Sequence, residues 1–320
     1  MNTADLPPLA LIAGPTASGK SALALAVADR VPSVIINADS AQVYRDLRIL
    51  SARPDEIDMA QAPHRLFGYI DGADACSAAR WAGDARAEIA KAHEAGRLPV
   101  LVGGTGLYIR TLLNGIAPIP EIDPVIRAAV RAMAVDAAYI ALKQEDPDSA
   151  ARLAPADTTR VQRALEVVRS SGHPIGYWHQ RRTGGIGDRM KLSPLVLAPP
   201  RDWLVQRSDT RFVGMIESGA IDEVERLLMR RLDPELPVMR AIGVREISAW
   251  LHGDLTRPEM VEAGRLATRQ YAKRQYTWFR HQAPQDWRRT EEPLTPELVE
   301  REVTRMTGFP PPATSAIDAA

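Results

Sequence analysis

The segment Gly14, Pro15, Thr16, Ala17, Ser18, Gly19, Lys20 and Ser21 constrains this chain more than any other, because an apolar run (9–13) precedes it and a helix-forming run (22–28) follows. Strand, glycine loop and helix in that order are the setting of a P-loop. The glycines let the backbone wrap an oxyanion cluster, and the amides and helix N-terminus point at it. Lys20 adds a mobile positive charge, and the Ser21 hydroxyl can ligate magnesium. A phosphorylated or diphosphorylated ligand is the expected consequence. An ordinary glycine turn would explain the loop but not its flanks.

Further apolar runs at 33–38 and 99–102 read as buried strands, separated by an amphipathic helix over 81–95 that Gly96 closes. Strands alternating with helices imply an α/β fold, a P-loop NTPase-like parallel sheet core flanked by helices, with ligands at the carboxyl ends of the strands. Between 121 and 190 the strand signal vanishes and helices separated by proline and glycine take over, notably 158–171 capped by Gly172. The expected organisation is a core of 1–120 and 191–308, a helical insertion domain over 121–190, and a disordered tail over 309–320. Residues 192–198 read as a strand returning to the sheet, with Pro194 suited to an edge or to the strand's beginning. Helices are expected over 202–218, 221–231, 244–251 and 258–281.

The single cysteine, Cys76, excludes a disulfide framework or a cysteine zinc site within one chain. No apolar run is long enough to cross a bilayer and the N-terminus lacks a basic leader, so no membrane partner and a cytoplasmic setting are expected. Forty basic and forty acidic side chains balance, so net charge points to no partner. The local pattern does: Arg265, Arg269, Lys273, Arg274 and Arg280 fall in a helical stretch without an acid, interleaved with Tyr271, Tyr276, Trp278 and Phe279. Such a stripe suits phosphate contact, although a solvated helix face would look the same.

Asp39, just after the second strand, is placed to hold magnesium, orient a hydroxyl or accept a proton, or merely to cap a helix. Gly103, Gly104, Thr105 and Gly106 form a second glycine-rich turn at a strand end. Arg207 and Arg211 project from one helix face, as solvated arginines commonly do. Gly243, between Arg240 and Arg245, either lets a nucleic-acid backbone approach or shapes a helix start. His64 and His173 lack metal-ligand spacing, and Cys76 reads as core filler.

In order along the chain, residues 14–21, 39–44, 103–108, 159–166, 240–245 and 273–280 resemble the tRNA dimethylallyltransferases, bacterial type, over about residues 9–300. The resemblance implies transfer of a dimethylallyl group from dimethylallyl diphosphate to the exocyclic amine of the adenosine 3′ of the anticodon. The P-loop would then hold the prenyl diphosphate, Asp39 would be the general base, Thr16 would lie near amine and diphosphate, and Lys20, Ser21 and Arg211 would handle the diphosphate with Mg2+. It also implies that a tRNA anticodon stem-loop meets Asp39, Ser40, Ala41, Gln42, Thr105 and Arg127. Further implied contacts are Thr159, Arg160, Val161, Gln162, Arg163, Arg240, Ala241, Ile242, Gly243, Val244 and Arg245. Lys273, Arg274, Gln275, Tyr276, Thr277, Trp278, Phe279 and Arg280 complete the set, and a monomer is expected.

Where that family typically has Gly-Thr-Ala-Lys-Pro, this chain has Leu50, Ser51, Ala52, Arg53 and Pro54, which keeps the hydroxyl and the cation. Rival readings are a small-molecule P-loop kinase, a prenyltransferase acting on free adenylate, and a noncatalytic RNA-binding protein. The first two leave the basic helix without an RNA, and intact Lys20 and Asp39 disfavour the third.

Overall fold

The computed structural model describes residues 6–308, and the expected disordered tail lies outside them. The chain divides into two compact units, residues 1–110 with 189–320, and residues 111–188.

In the first unit the order is β1 (Pro8–Ala13), α1 (Lys20–Arg30), β2 (Ser33–Asn37), α2 (Glu56–Gln61), β3 (His64–Arg65), α3 (Ala78–Glu94), β4 (Leu98–Gly103) and α4 (Gly106–Asn114), within which the chain passes to the second unit. That unit is helical: α5 (Pro124–Arg131), α6 (Val135–Glu145), α7 (Pro147–Arg152), α8 (Thr158–Ser171) and α9 (Ile175–His179). Its core is small and aliphatic, with Val130, Leu142, Val161 and Leu165 fully buried. The first unit resumes with β5 (Lys191–Leu197), α10 (Arg201–Met215), α11 (Ile221–Met229), α12 (Val244–Leu251), α13 (Arg257–His281), β6 (Arg288–Thr290) and α14 (Pro296–Thr307).

The sheet runs β3-β2-β4-β1-β5-β6 and is parallel throughout. Its central strands are buried on both faces, which is why they read as unbroken apolar runs. Leu23, Ala24 and Val27 of α1, together with Val303 and Met306 of α14, cover Ile12, Val100, Val102 and Leu195 on one face. Pro194 lies in an interior strand, not an edge. However, β6 pairs only with residues 195–197, so one side of the strand is open at Pro194, where a missing N–H costs no ladder bond.

Register matters most at the carboxyl ends. Ala13 pairs with Gly103 and Asn37 with Val102, so β1, β4 and β2 all end within a residue of one another. The P-loop, Asp39 and Thr105 therefore emerge side by side. A Cβ on Gly103 would stand 2.1 Å from the Ala38 carbonyl carbon, in backbone that has no room to yield. Gly103→Ala should cost about 3 kcal/mol of stability through overpacking at this crossing, measured by urea unfolding.

Candidate functional site

The P-loop is built from left-handed backbone that only certain residues accept. Gly14 has φ +149°, Gly19 +96°, and Ala17 adopts +64° without a glycine's freedom. The loop closes on itself and on α13. Lys20 Nζ donates to the Pro15 carbonyl at 2.6 Å, and the Thr16 N–H donates to Gln275 Oε1 at 2.8 Å. Gln275 Nε2 in turn donates to the Gly104 carbonyl at 3.0 Å, so one buried amide ties the P-loop to the second glycine turn. Arg211, on α10, donates to the Thr16 hydroxyl. Ser18 Oγ is buried without a hydrogen-bond partner among the described residues.

Asp39 is fixed by its neighbours. Asn37 Oδ1 accepts from the Asp39 N–H at 2.8 Å while Asn37 Nδ2 donates to the Asp39 carbonyl at 2.9 Å, and Trp81 Nε1 donates to the Asn37 carbonyl. One carboxylate oxygen of Asp39 accepts from the Ala41 N–H at 3.0 Å. Beside it the Ser40 N–H donates to Thr105 Oγ1 at 2.9 Å, and Thr105 Oγ1 donates to Ser40 Oγ at 3.2 Å. Thr105 thus latches the end of β2 to the end of β4.

Electrostatically the site is short of negative charge. Burial lowers the pKa of Lys20 to about 8, opposed by Asp39 and reinforced by Arg211. Burial likewise pushes Arg211 below its usual value against the pull of Asp39. Two desolvated cations sharing one carboxylate favour an incoming polyanion.

Two cavities meet at this cluster. One, of ≈ 690 Å³, is lined by P-loop residues 16–22, with Gln42, Gln206, Arg207 and Thr210. The other, of ≈ 320 Å³, has a largely apolar wall including Tyr44, Leu47, Leu50, Phe212, Met215 and Ile242, with Tyr271 and Arg274. The residues common to both are Thr16, Asp39, Ser51 and Arg211. The turn before Ser51 is shaped from outside the cavity. Buried Glu223 accepts from the N–H groups of Arg48, Ile49 and Leu50 at 2.5, 2.9 and 3.0 Å.

Among the described residues no three His, Cys, Asp or Glu side chains gather into a metal site. The P-loop cavity offers the Ser21 hydroxyl and the Asp39 carboxylate. So sparse a set fits magnesium, which keeps most of its sphere as water and phosphate oxygen.

The expected site residues distribute unevenly. Thr16, Lys20, Ser21, Asp39, Ser40, Ala41, Gln42 and Arg211 converge on the paired cavities, joined by Arg240, Ala241, Ile242 and Arg274. Gly243 shapes a helix start: it sits at φ +93° before α12, with no room beside Leu50 for a Cβ. Arg127, Thr159, Arg160, Gln162 and Arg163 belong to the second unit, where Arg163 and Arg131 pair with buried Glu166 and Gln162 reaches backbone carbonyls near Val130. Four expected RNA contacts are instead interior: Val161, Val244, Gln275 and Phe279 are between 0% and 5% exposed, because they fall on the inward face of their helices.

Two members of the basic stripe also need correction. Arg269 pairs with Asp209 at 2.5 Å and with Glu262 at 3.1 Å, and Arg265 with Glu262 at 3.6 Å. The acids come from α10 and from the turn of α13 just before the stripe. Lys273 and Arg280 are exposed and make no ion pair among the described residues. Asn37 and Tyr271 were not singled out as site residues. A polar side chain ending an apolar strand, and a tyrosine on a basic helix three residues after an inward-facing threonine, were the signals available.

Fold and site together define a P-loop α/β protein in which a phosphate cavity and an apolar-walled cavity share one carboxylate. The chain belongs to the IPP transferase family, whose sequence profile matches residues 42–282, and an isopentenyl transferase profile matches residues 7–72. It is 62% identical over 293 residues to a tRNA dimethylallyltransferase of Sphingopyxis alaskensis, covering 91% of this chain and 96% of that one. It is also 62% identical to a tRNA dimethylallyltransferase of Erythrobacter litoralis, covering 90% and 92%. Among solved structures, the tRNA isopentenylpyrophosphate transferase of Bacillus halodurans superposes with TM-score 0.69 at 31% identity, over 94% of this chain and 96% of that one. A eukaryotic dimethylallyltransferase described as acting on tRNA gives 0.74 at 29% identity, over 85% and 70%. Among the described residues no helix is long and apolar enough to cross a membrane.

Because free Lys20 loses its proton around pH 8 and a bound anion would hold that proton, the polyanion should bind more weakly as pH rises. Calorimetry with inorganic pyrophosphate should show affinity falling by up to about tenfold per unit above that pH. Lys20→Met should bind weakly throughout, with no such slope.

Proposed function

We infer that this chain transfers a dimethylallyl group from dimethylallyl diphosphate to the exocyclic amine of the adenosine 3′-adjacent to the tRNA anticodon, position 37, forming N6-isopentenyladenosine. The observation that carries this reading is the meeting of a cationic phosphate cavity with an apolar-walled cavity at Thr16, Asp39 and Arg211. An apolar wall beside the phosphate cavity suits a prenyl chain, which a phosphoryl-transfer reaction does not require. Family membership supports the same reading.

The diphosphate occupies the P-loop cavity, held by loop amides, Lys20 and Arg211. Ser21 with the diphosphate would hold magnesium, which when bound supplies further neutralisation of the leaving group. The target adenosine, stacked within an anticodon loop, must leave its stack to reach Asp39. An exocyclic amine is far too weak an acid to lose a proton to a carboxylate before attack. Asp39 therefore orients the amine first. As the C–N bond forms and the allylic C–O bond breaks, the amine becomes acidic, Asp39 takes one proton, and the bonding electrons leave with the diphosphate. Lys20 and Arg211 meet charge that grows during that step, so they stabilise the transition state more than the ground state.

Exposed Lys273, Arg274 and Arg280, with half-buried Tyr276 and Trp278, are the outward face of α13 suited to RNA. Arg245, exposed in the first turn of α12, is a further basic side chain suited to RNA, whereas Arg240 pairs with Glu235 at 3.2 Å. A single chain carries the whole cavity cluster, which supports action as a monomer, and the cytoplasm is the setting this substrate implies.

Asp39→Ala should lower single-turnover prenyl transfer by about a hundredfold or more while tRNA affinity stays within a few fold. Filter binding beside the turnover assay separates the two, and wild-type chemistry in the variant would remove Asp39 from the reaction. Neutralising Lys273 and Arg280 should flatten the salt dependence of tRNA binding by about 0.7 to 0.9 in log–log slope per lost contact. Neutralising Arg265 and Arg269, already ion-paired, should leave that slope unchanged.

A further inference from the structure

The residues shared by the two cavities are Thr16, Asp39, Ser51 and Arg211. Asp39 and Arg211 already carry parts of the proposed reaction and the Thr16 hydroxyl is engaged by Arg211, whereas Ser51 lies in the segment where this chain departs from its family's usual sequence. We propose that Ser51 Oγ is a substrate contact, the hydrogen-bond acceptor for the second N–H of the exocyclic amine whose first N–H faces Asp39. The inference rests on the prenyl-transfer reading.

The chemistry of the hydroxyl selects this role over contact with the diphosphate. Ser51 Oγ donates its one proton to the Leu47 carbonyl at 2.6 Å, a bond that closes its own turn. Only lone pairs are left for the cavities. A diphosphate presents acceptors alone and has nothing to offer a committed hydroxyl, whereas an exocyclic amine has two N–H donors. Asp39 is similarly part-committed, one of its oxygens accepting from the Ala41 N–H at 3.0 Å. Two acceptors on either side of one nitrogen fix its plane, and so aim its lone pair at the allylic carbon.

The turn that carries Ser51 is stiff. Gln42 Nε2 donates to the Ser51 and Ala52 carbonyls at 2.9 and 3.0 Å, Ala52 is held at φ +53°, and Glu223 fixes residues 48–50. A side chain on such a turn keeps its place without the substrate.

The test compares anticodon stem-loop RNAs carrying adenine or unsubstituted purine at the target position, as competitors of tRNA binding to the full chain. Ser51→Ala should weaken the adenine RNA by about five- to tenfold and leave the purine RNA unchanged, because only adenine brings the amine. Ser51→Cys, which keeps a weak donor for Leu47 but a poor acceptor for the amine, should behave in the same way, and Ser51→Thr should restore wild-type preference. Equal loss for both RNAs would make Ser51 a purely structural residue and overturn the proposal. Loss of affinity for pyrophosphate with magnesium, with RNA preference intact, would place the hydroxyl on the donor side and overturn it as well, as would unchanged binding throughout. Failure of the underlying reading looks different: wild type itself would transfer no prenyl group and would not distinguish adenine from purine.

Discussion

Lys20 and Arg211 repel one another in a crevice that has removed much of their water, and Asp39 offsets only part of that cost. Such an arrangement persists only where the backbone around it is over-determined. The sheet supplies the first restraint, ending β1, β2 and β4 together. Gln275 supplies the second by holding Thr16 and Gly104 at once. Asn37 supplies the third, bonding Asp39 on both its N–H and its carbonyl. An anion entering the loop relieves the repulsion that the scaffold withstands.

The helix α13 serves two environments with one sequence. Met260, Gly264, Thr268, Ala272, Gln275 and Phe279 form its buried face, while Lys273, Arg274 and Arg280 point outward. Gly264 leaves no room for a side chain against Phe212, the neighbour of Arg211 on α10. Arg269, bridging to Asp209, fastens the same two helices from the solvent side. The basic residues of this helix therefore divide between fastening α10 and facing outward.

Much of this was legible in the chain. The glycine loop between strand and helix, the apolar runs of doubly covered strands and the long periodic helices read correctly, with 158–171 and 244–251 matching α8 and α12. The strands β3 and β6 did not, since two or three residues such as Arg288, Arg289 and Thr290 hold no periodic signal and owe their form to a neighbouring strand. Thr295, Pro296 and Gly308 do mark the ends of α14, beside a proline-rich stretch that masks them. The basic stripe misled for a physical reason: its acids lie across a helix interface at Asp209 and one turn earlier at Glu262. Val161 and Phe279 misled because a linear motif mixes inward and outward positions of one helix.

Glu223 has no place in either cavity at the reaction centre, yet its carboxylate gathers three successive amides and so sets the curve of the turn that ends at Ser51. The contour of the apolar wall at Leu47 and Leu50 is in that sense written on α11. A library built to widen the enzyme's choice of alkyl donor, if it varied only the side chains that line the cavity, would leave the mould untouched while recutting the surface.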